Sequence, residues 1–417
     1  MSLAWSAYRV LAPVLGAAAP AARLFASPRE RPFWNERLGR VPAMGATDAW
    51  IHAASLGEAT AVPPLAEALL ALAPGARLFL TATTRAGRER LAGAGAPVAL
   101  APLDAPQVID RFFERVAPRR VLLVETELWP HWLLRARLLG VPVVVVSGRL
   151  SAYSVGRYRS LGSEFRGLVG GLAGVVCQSE ADAARWLAIG AQAERLAVCG
   201  NLKFDALPQA PDSRAGARMA AGLERDRPLL VLGSLRRGEA RILARAWQRL
   251  PPALAAGWQV VAVPRHTRAT RELVDEANAA ATEISANGRV SVRAWRWDDR
   301  PGVLPAYYAG ADVAFVGGSL APWGGHNPLE PAACGAAVVM GPHHASQLEG
   351  VRALETGGAI AIARDEDDCT RVLERLLGDA GARAQVARAA RTVAASLRGA
   401  AQRTTAQLAA WKLWPVE

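Results

Sequence analysis

The sequence predicts an α/β protein built from two doubly wound domains, and three observations lead to this prediction. Short apolar runs alternate with amphipathic helical segments from residue 49 onward. The alternation stops over residues 207–227, which are rich in Pro, Gly and charge, and it then restarts. Strands that alternate with helices in this way are typical of a parallel sheet covered on both faces.

Each predicted strand is a short, mainly apolar run, as expected for a strand buried on both faces of its sheet. In the first half of the chain the predicted strands are 49–54, 76–82, 96–100, 120–125, 141–147, 173–178 and 196–200. In the second half they are 228–234, 258–264, 290–295, 311–318, 336–341 and 358–363. The segments between these runs are predicted helices, and so is the Ala- and Arg-rich stretch 380–412.

This pattern divides the chain into five parts. They are an N-terminal helical segment (1–40), a first domain (41–206), a linker (207–227), a second domain (228–379) and a C-terminal helix (380–417) that could cross back to the first domain. Ligands of doubly wound sheets bind beyond the carboxyl ends of the strands. Two such domains therefore predict a binding cleft between two sets of strand ends.

The composition favours an anionic partner. The formal net charge is +12, and all 49 Lys and Arg residues except Lys203 and Lys412 are arginine. A positive field attracts a phosphorylated ligand or an acidic membrane. No Lys/Arg-rich block or mixed aromatic and basic ribbon occurs, so nucleic acid is not an expected partner. The four cysteines form no C-x-x-C pair and no H-x-x-x-H spacing occurs, so neither a disulfide nor a metal site is predicted.

The N-terminal segment combines an apolar run with basic residues. Residues 10–26 are apolar but contain Pro13, Pro20 and Arg23, and the run is shorter than the about 20 residues that a spanning helix needs. An apolar stretch followed by arginines suits a helix that lies in the cytoplasmic face of a membrane. The alternative is a first helix that packs on the domain.

Acidic residues follow two predicted strands of the first half. Glu58 comes after strand 49–54 in the loop SLGEA, and Glu125 and Glu127 follow the apolar run 121–124. A carboxylate at the carboxyl end of a strand is well placed to act as a general base. The alternative for Glu58 is an ordinary dipole partner in the first turn of a helix.

The segment GNLKFD (200–205) contains Lys203, one of only two lysines in a chain whose other basic side chains of this kind are all arginines. A compact ammonium differs from a planar guanidinium in reach and hydration, so Lys203 is a candidate functional residue.

The second half has its densest signal in FVGGSLAPWGGHNPLEPAACG, residues 315–335. Its two Gly pairs allow close approach of the backbone to a ligand, and Asn327-Pro328-Leu329-Glu330 predicts a helix start with Asn327 as the N-cap. The functional interpretation is a helix N-terminus aimed at an anionic group, with Glu330 accepting from ribose hydroxyls. The alternative is a capping box alone.

Arg265 and His266 directly follow the predicted strand 258–264. An arginine at this position could bind a phosphate through its forked guanidinium. The alternative is that Arg265 is an ordinary surface residue.

Taken together, these motifs resemble a known family. WIHAASLGEA, PLDAP, VETELWP, GRLSAYS, QSEADAARWLAIGA, GNLKFD, VPRH and FVGGSLAPWGGHNPLEPAACGAAVVMGPH occur in the order and spacing of bacterial 3-deoxy-D-manno-octulosonic acid (Kdo) transferases. FWNERLG, which begins at residue 33, is similar to the family's N-terminal signature. The resemblance covers about residues 30–350. It implies a GT-B fold of two facing Rossmann-like domains, with the acceptor bound by 41–206 and the CMP-sugar by 228–379.

The resemblance implies an inverting transfer of Kdo from CMP-Kdo to a lipid A precursor in lipopolysaccharide biosynthesis, without a metal or cofactor, at the cytoplasmic side of the inner membrane. By the family motifs Glu58 is the base, and Glu125 and Lys203 support the transition state. The motifs that form the CMP site fall on Pro264, Arg265, Gly302, Asn327, Pro328, Leu329 and Glu330. Arg265, Lys203 and the helix start at Asn327 are alternative groups for holding the leaving phosphate.

Two segments depart from the family pattern. Residues 298–305, DDRPGVLP, keep only Gly302 of the family's D-T-M-G-E-L, part of which contacts the nucleotide. Residues 234–239 lack the Thr and His of the S-T-H-x-G-E loop. Two alternatives are a paralogue that uses another CMP-activated 2-keto sugar or another acceptor, and a non-catalytic nucleotide-sugar-binding protein. The intact base and helper positions favour an enzyme.

Overall fold

The protein is described here by a computed structural model that covers residues 3–284 and 294–415. The chain divides into two compact units. The first contains Met1–Ala206 and Leu397–Glu417, and the second contains Leu207–Ser396. Each unit is built on its own all-parallel sheet, as the alternating pattern predicts.

The first unit contains a doubly wound sheet whose strands all overlap predicted runs. They are β1 (Ala49–Ala53), β2 (Leu78–Ala82), β3 (Val98–Leu100), β4 (Val121–Val124), β5 (Val143–Gly148), β6 (Gly174–Cys177) and β7 (Leu196–Val198). Their order in the sheet is β3-β2-β1-β4-β5-β6-β7. The order reverses between β1 and β4, which pair in parallel. Such a reversal leaves a crevice at the carboxyl ends of the two strands, where ligands of doubly wound sheets bind.

Helices cover both faces of this sheet. They are α1 (Leu3–Ala22), α2 (Trp34–Arg37), α3 (Leu56–Ala59), α4 (Val62–Leu72), α5 (Arg85–Leu91), α6 (Pro106–Val116), α7 (Pro130–Leu138), α8 (Ala152–Ser160), α9 (Ser163–Gly170) and α10 (Glu180–Ala188). Consecutive residues of β4 enter different cores: Leu123 packs with Trp50 in one, and Leu122 packs with Ile51 in the other. This alternation explains why the strand has no polar position.

The second unit repeats the plan with six strands. They are β8 (Leu229–Leu235), β9 (Gln259–Pro264), β10 (Arg296–Trp297), β11 (Val313–Val316), β12 (Ala337–Met340) and β13 (Ile360–Ile362), in the order β10-β9-β8-β11-β12-β13. The reversal here lies between β8 and β11. Of the strand predicted at 290–295, residues 290–293 lie outside the described residues, and the described ladder with β9 is formed by Arg296 and Trp297. Trp295 is instead a buried core residue that precedes the strand.

Helices of the second unit are α11 (Arg214–Ala220), α12 (Glu239–Gln248), α13 (Pro252–Ala256), α14 (Thr270–Ile284), α15 (Leu304–Gly310), α16 (Leu329–Ala333), α17 (Leu348–Thr356), α18 (Glu366–Gly378) and α19 (Ala380–Ser396). The segment 207–227 contains α11, which packs against α15. The buried Arg218 on α11 donates to the Gly310 carbonyl (2.9 Å) and pairs with Asp312. Residues of this segment are thus fastened to the second unit.

The C-terminal stretch 380–412 forms two helices that belong to different units. Helix α19 packs against α16 and β12 of the second unit, whereas α20 (Ala400–Ala410) packs against α4 of the first. Gly399, with φ of 91°, separates them in a left-handed conformation that glycine adopts readily. Asp205 accepts from the N–H groups of Gly399 and Ala401, so its carboxylate caps α20.

Helix α1 packs on the first unit with Pro13 and Pro20 inside it. Trp5, Ala12 and Ala19 form its buried side, and the Tyr8 hydroxyl bonds to Asp104 and to His131 Nδ1. The remainder of the helix surface exposes four aliphatic side chains: Val10 (68%), Leu11 (55%), Val14 (61%) and Leu15 (66%). Within the described residues no helix is both long and apolar enough to cross a membrane.

Candidate active site

The predicted acids of the first unit meet at the switch point of its sheet. Glu58 follows β1, and Glu125 and Glu127 follow β4, the strand beside it. Carboxyl ends of neighbouring parallel strands lie side by side, so these side chains share one end of the sheet. The negative charges of Glu125 and Glu127 both act on Glu58.

Ser55 and Ala54 hold the Glu58 carboxylate in place. Helix α3 begins at Leu56, so Glu58 is its third residue. Ser55 is the N-cap: its hydroxyl accepts from the Glu58 N–H (3.2 Å) and donates to Glu58 Oε1 (2.9 Å). The Ala54 N–H donates to Glu58 Oε2 (2.8 Å). The arrangement resembles a capping box, except that the Glu58 side chain accepts from the N–H of Ala54, the residue before the N-cap. Glu58 lies in the first turn of α3, the position that the dipole-partner alternative gave it.

The pKa of Glu58 is raised above its usual range. Burial is the main cause, and the charges of Glu125 and Glu127 add to it, while the Ala54 N–H and the Ser55 hydroxyl oppose it. A carboxylate with a raised pKa is a stronger base than an ordinary glutamate, and perturbation of this kind is frequent at catalytic acids and bases.

Glu125 and Lys203 form an ion pair next to Glu58, although 78 residues separate them. The Lys203 ammonium donates to Glu125 Oε1. Glu125 has a φ of 63°, a left-handed backbone that costs a non-glycine residue roughly 1–2 kcal/mol. Such strain persists where surrounding structure imposes it, and it often marks a functional position.

A buried polar network that the sequence analysis missed positions the Lys203 turn. Gln178 Nε2 donates to the Ser147 carbonyl (3.0 Å) and to its hydroxyl (3.2 Å), and Gln178 Oε1 accepts from Asn201 Nδ2 (3.2 Å). Ser147 Oγ also accepts from the Leu202 N–H, and Asn201 Oδ1 accepts from the Lys203 N–H (3.0 Å). The available signal was a set of polar residues at the ends of β5 and β6, each following an apolar run.

His52 is a second buried residue that sequence reasoning passed over. It lies near the carboxyl end of β1 with no exposed surface, and its Nδ1 is 2.9 Å from Thr81 Oγ1. Because Thr81 Oγ1 already accepts from Trp50 Nε1 (2.7 Å), its hydroxyl proton is free to point at His52 Nδ1. If Nδ1 accepts this proton, the neutral His52 ring carries its own proton on Nε2, which lies 3.6 Å from Glu127 Oε2. Glu127 also accepts from Trp129 Nε1 (2.8 Å).

In the second unit, a buried carboxylate shapes the glycine loop after β11. Glu239 is fully buried and accepts from the N–H groups of Gly318 (2.7 Å), Ser319 (2.8 Å) and Leu320 (3.0 Å). It also accepts from the Arg236 N–H (2.8 Å), so one side chain ties the end of β8 to the loop after β11. Gly317 leaves no space for a Cβ, which would lie 2.6 Å from the Ser234 carbonyl oxygen.

Three of the predicted CMP-site residues line one cavity of the second unit. The cavity has a volume of about 480 Å³, and its lining includes Pro264, Arg265 and Gly302. The departing segment 298–305 forms one wall. It is ordered by Asp298, which accepts from Arg300 Nη2 (2.6 Å) and from the Tyr307 hydroxyl (2.6 Å).

The remaining predicted residues form a short turn and helix. Helix α16 begins at Leu329 with Pro328 as N-cap, one residue later than predicted. Asn327 nevertheless caps it, because its Oδ1 accepts from the Leu329 N–H (3.0 Å). Its Nδ2 donates to Glu330 Oε1 (3.2 Å). Burial raises the pKa of Glu330, and Asn327 and the charge of Arg265 oppose the shift.

Comparison with known proteins agrees with these motifs. Residues 33–206 match the family model of the 3-deoxy-D-manno-octulosonic-acid transferase (Kdo transferase). The 3-deoxy-D-manno-octulosonic acid transferase of Bordetella pertussis is 37% identical over 89% of this chain and 89% of its own. The enzyme of the same name from Haemophilus influenzae is 30% identical over 90% of this chain and 91% of its own. The chain belongs to the Kdo transferase family. The resemblance of its motifs is thereby confirmed, and this family member is a glycosyltransferase.

Solved structures with little sequence identity share the fold of this Kdo transferase family member. HepE of Anabaena, solved with UDP, is 15% identical with a TM-score of 0.59 and covers 87% of this chain and all (100%) of its own. The UDP-GlcNAc 2-epimerase of Neisseria meningitidis, bound to UDP-GlcNAc, is 12% identical with a TM-score of 0.60 over 88% of this chain and 100% of its own. The predicted GT-B class of two Rossmann-like doubly wound units is confirmed.

Proposed function

We propose that this family member transfers Kdo with inversion from CMP-Kdo to a lipid A precursor. The observation that carries the proposal is the pairing of a base with an ion pair at one switch point: Glu58, with its raised pKa, lies within electrostatic reach of Glu125, which is bound to Lys203. General bases and fixed charges of this kind are what an attack by a hydroxyl on an anomeric carbon requires.

In the proposed reaction Glu58 removes a proton from the acceptor hydroxyl. The hydroxyl oxygen attacks the anomeric carbon as the bond to the CMP phosphate breaks, so the bond forms on the face opposite the leaving group. The Ser55 and Ala54 contacts keep the carboxylate oriented. Lys203 and Glu125 present a fixed dipole beside it, which supports charge that develops in the transition state.

The donor is proposed to bind in the second unit. The cavity lined by Pro264, Arg265 and Gly302 would take the nucleotide, and Asn327, Pro328, Leu329 and Glu330 would complete the site. Arg265 is exposed at the end of β9 and has no carboxylate partner within the described part of the chain, so it is available to an anionic ligand.

The product of the reaction tests this proposal. Purified protein would be incubated with CMP-Kdo and a lipid A precursor, and the lipid would be examined by mass spectrometry alongside a measurement of CMP release. A Kdo-extended lipid is the expected result. CMP release without an extended lipid would contradict the acceptor, and binding of CMP with no release from any CMP-sugar would favour the non-catalytic alternative.

A paralogue with another 2-keto sugar is a second candidate because of the wall formed by 298–305. Asp298, Arg300 and Tyr307 make this wall rigid and place an arginine at the cavity. Faster turnover of a different CMP-activated 2-keto sugar than of CMP-Kdo would favour the paralogue.

The raised pKa of Glu58 predicts a pH effect of Glu127→Gln. The base works only when ionised, so its pKa sets the acid limb of the rate profile. Removing the Glu127 charge removes one of the causes that raise this pKa, and the acid limb of kcat/KM is expected to move to lower pH. The Gln side chain keeps an oxygen that can accept from Trp129 Nε1.

Glu114→Gln is a matched control for this change, because Glu114 is exposed on α6 of the same unit and no contact ties it to Glu58. Its profile should overlay the unmodified protein. An acid limb that stays in place, or moves to higher pH, in Glu127→Gln would exclude this electrostatic role.

Residues 1–40 are proposed to rest on the cytoplasmic face of the inner membrane through α1. Val10, Leu11, Val14 and Leu15 are more than half exposed on α1, and Leu24 (73%) and Phe25 (89%), which follow the helix, are exposed as well. Arg9, Arg23 and Arg29 are exposed along the same segment and would contact anionic headgroups.

The double variant Val14→Gln/Leu15→Gln is expected to bind vesicles containing anionic lipid roughly tenfold more weakly or worse, since two aliphatic side chains no longer enter the membrane. Vesicle flotation measures this binding. Leu72→Gln/Leu187→Gln is the matched control, because both residues are exposed elsewhere on the first unit. Equal flotation of both variants would rule out α1 as the membrane contact.

A further inference from the structure

An arginine that the family motifs do not place in the site lies at the switch point of the second sheet. Arg236 directly follows β8, and the glycine loop that begins at Gly317 follows the neighbouring β11. Arg265 and His266 follow β9 on the other side of β8. Basic side chains therefore collect at the carboxyl ends of adjacent strands, where a doubly wound sheet binds its ligand.

The head of Arg236 is held from two directions. Its guanidinium carbon lies 4.4 Å from the centroid of the Trp323 ring, in cation–π contact. Its Nη1 donates to His266 Nε2 (2.7 Å), which requires a neutral His266 with its proton on Nδ1. The Glu239 carboxylate accepts from the Arg236 N–H and so holds the Arg236 backbone. Trp323 is held by a hydrogen bond from its Nε1 to the Arg237 carbonyl (3.3 Å).

No carboxylate neutralises this arginine in the structure that residues 3–284 and 294–415 form. Neither Arg236 nor Arg265 makes an ion pair there, whereas the nearby Arg237 and Arg300 pair with Glu272 and Asp298. The nearby acids are engaged: Glu239 is occupied by four backbone N–H groups, and Glu330 is bound to Asn327. His326 also experiences the excess of positive charge: burial, with Arg265, Arg236 and His266, lowers its pKa to about 4.

A guanidinium that is immobilised by an aromatic ring and a histidine, and has no counter-ion, is preorganised to hold an oxyanion. Arg236 keeps further N–H donors for a ligand after the bond to His266 is made. Arg265 stands close enough that its charge, like that of Arg236, acts on both His266 and His326. Two forked cations converging in this way suit an anionic group on the donor.

We propose that Arg236, set in position by Trp323 and His266, is a determinant of donor binding that grips an anionic oxygen of the CMP-sugar together with Arg265. The assignment rests on the proposed CMP-sugar donor. The shared chemistry is an oxyanion, which the donor supplies in two places, the nucleotide phosphate and the sugar carboxylate.

Calorimetric titration of the full chain with CMP and with cytidine tests whether Arg236 binds the nucleotide phosphate. Arg236→Met removes the charge at similar side-chain length, and it is expected to weaken CMP binding roughly tenfold to a hundredfold, the effect of losing one or two charge-assisted hydrogen bonds. Cytidine binding should be unchanged. Arg236→Lys should recover only part of the affinity, since an ammonium lacks the forked geometry and stacks less well on Trp323.

The steady-state KM for CMP-Kdo tests whether Arg236 instead binds the carboxylate of the sugar. If CMP binding is unchanged in Arg236→Met but the KM for CMP-Kdo rises by a similar factor with kcat retained, the sugar carboxylate is the group held. Trp323→Leu, which leaves every charge in place, should weaken the same ligand several-fold because the arginine is no longer immobilised.

Arg271→Met is the matched control, because Arg271 is exposed on α14 and its loss changes the net charge equally. CMP affinity and KM values in Arg236→Met that equal those of this control would overturn the assignment. A chain that binds CMP through Arg236 but transfers no Kdo would sink the proposed function and leave the assignment standing. A chain that binds neither CMP nor CMP-Kdo would overturn both.

Discussion

Glu58→Gln is expected to lower the rate of Kdo transfer by roughly 10²- to 10⁴-fold, the usual contribution of a general base. The amide cannot accept the acceptor's proton at neutral pH. It can keep both local contacts, because its oxygen can accept from the Ala54 N–H and its NH₂ can donate to Ser55 Oγ. The rate should fall in kcat, as followed by product formation at saturating donor and acceptor.

The fold of this variant should be retained. Glu58 has a pKa raised by burial, so the folded state binds its proton more tightly than the unfolded state does. Such a group contributes stability below its unfolded pKa and loses it as the pH rises through the folded value. At neutral pH the uncharged Gln is therefore expected to melt no lower than Glu58, as thermal unfolding would show.

Glu67→Gln is the matched control for Glu58, since Glu67 is exposed on α4, the next helix along the chain. It should transfer Kdo at the unmodified rate. A Glu58→Gln protein that is folded and fully active would show that another group takes the proton.

Lys203→Met is expected to reduce transfer roughly 10- to 100-fold, the effect of losing a charge-assisted hydrogen bond. The change leaves Glu125 without its cation in a left-handed backbone conformation that its surroundings still impose. An unpaired carboxylate beside Glu58 also adds negative charge to the site without compensation, which opposes ionisation of the base. Initial rates and circular dichroism together separate this effect from unfolding.

Lys412 offers a control of the same residue type, because it is exposed near the C-terminus. Lys412→Met should be as active as the unmodified chain. In a double-mutant cycle, Lys203→Met combined with Glu125→Gln should lose less activity than the sum of the two single effects, because both act through one ion pair. Additive losses would mean that Lys203 and Glu125 contribute independently.

Much of this fold was predictable because the hydrophobic patterns of strands and helices can be recognised within a short stretch of sequence. A strand such as 121–124 is a continuous apolar run since both of its faces enter a core, and this pattern needs no knowledge of the rest of the chain. Serines that follow strand ends cap α3, α8 and α10 through bonds to the N–H three residues later. The pattern did not reveal that Arg296 and Trp297 form the edge strand β10, or that Gly399 divides the predicted helical stretch 380–412 into two helices that belong to different units.

For the site, the sequence by itself determined which residues follow strand ends: Glu58, Glu125 and Arg265 were visible because polar side chains stop apolar runs there. Only the tertiary structure decided their partners. Lys203 reaches Glu125 across 78 positions, and Glu239 binds Gly318 across 79, since parallel strands bring carboxyl ends together whatever their distance along the chain. The contacts of His52 and Arg236 also became visible only in the tertiary structure. Whether a buried histidine meets a carboxylate, or an arginine meets a tryptophan instead of an acid, is settled by packing between segments that local patterns do not relate.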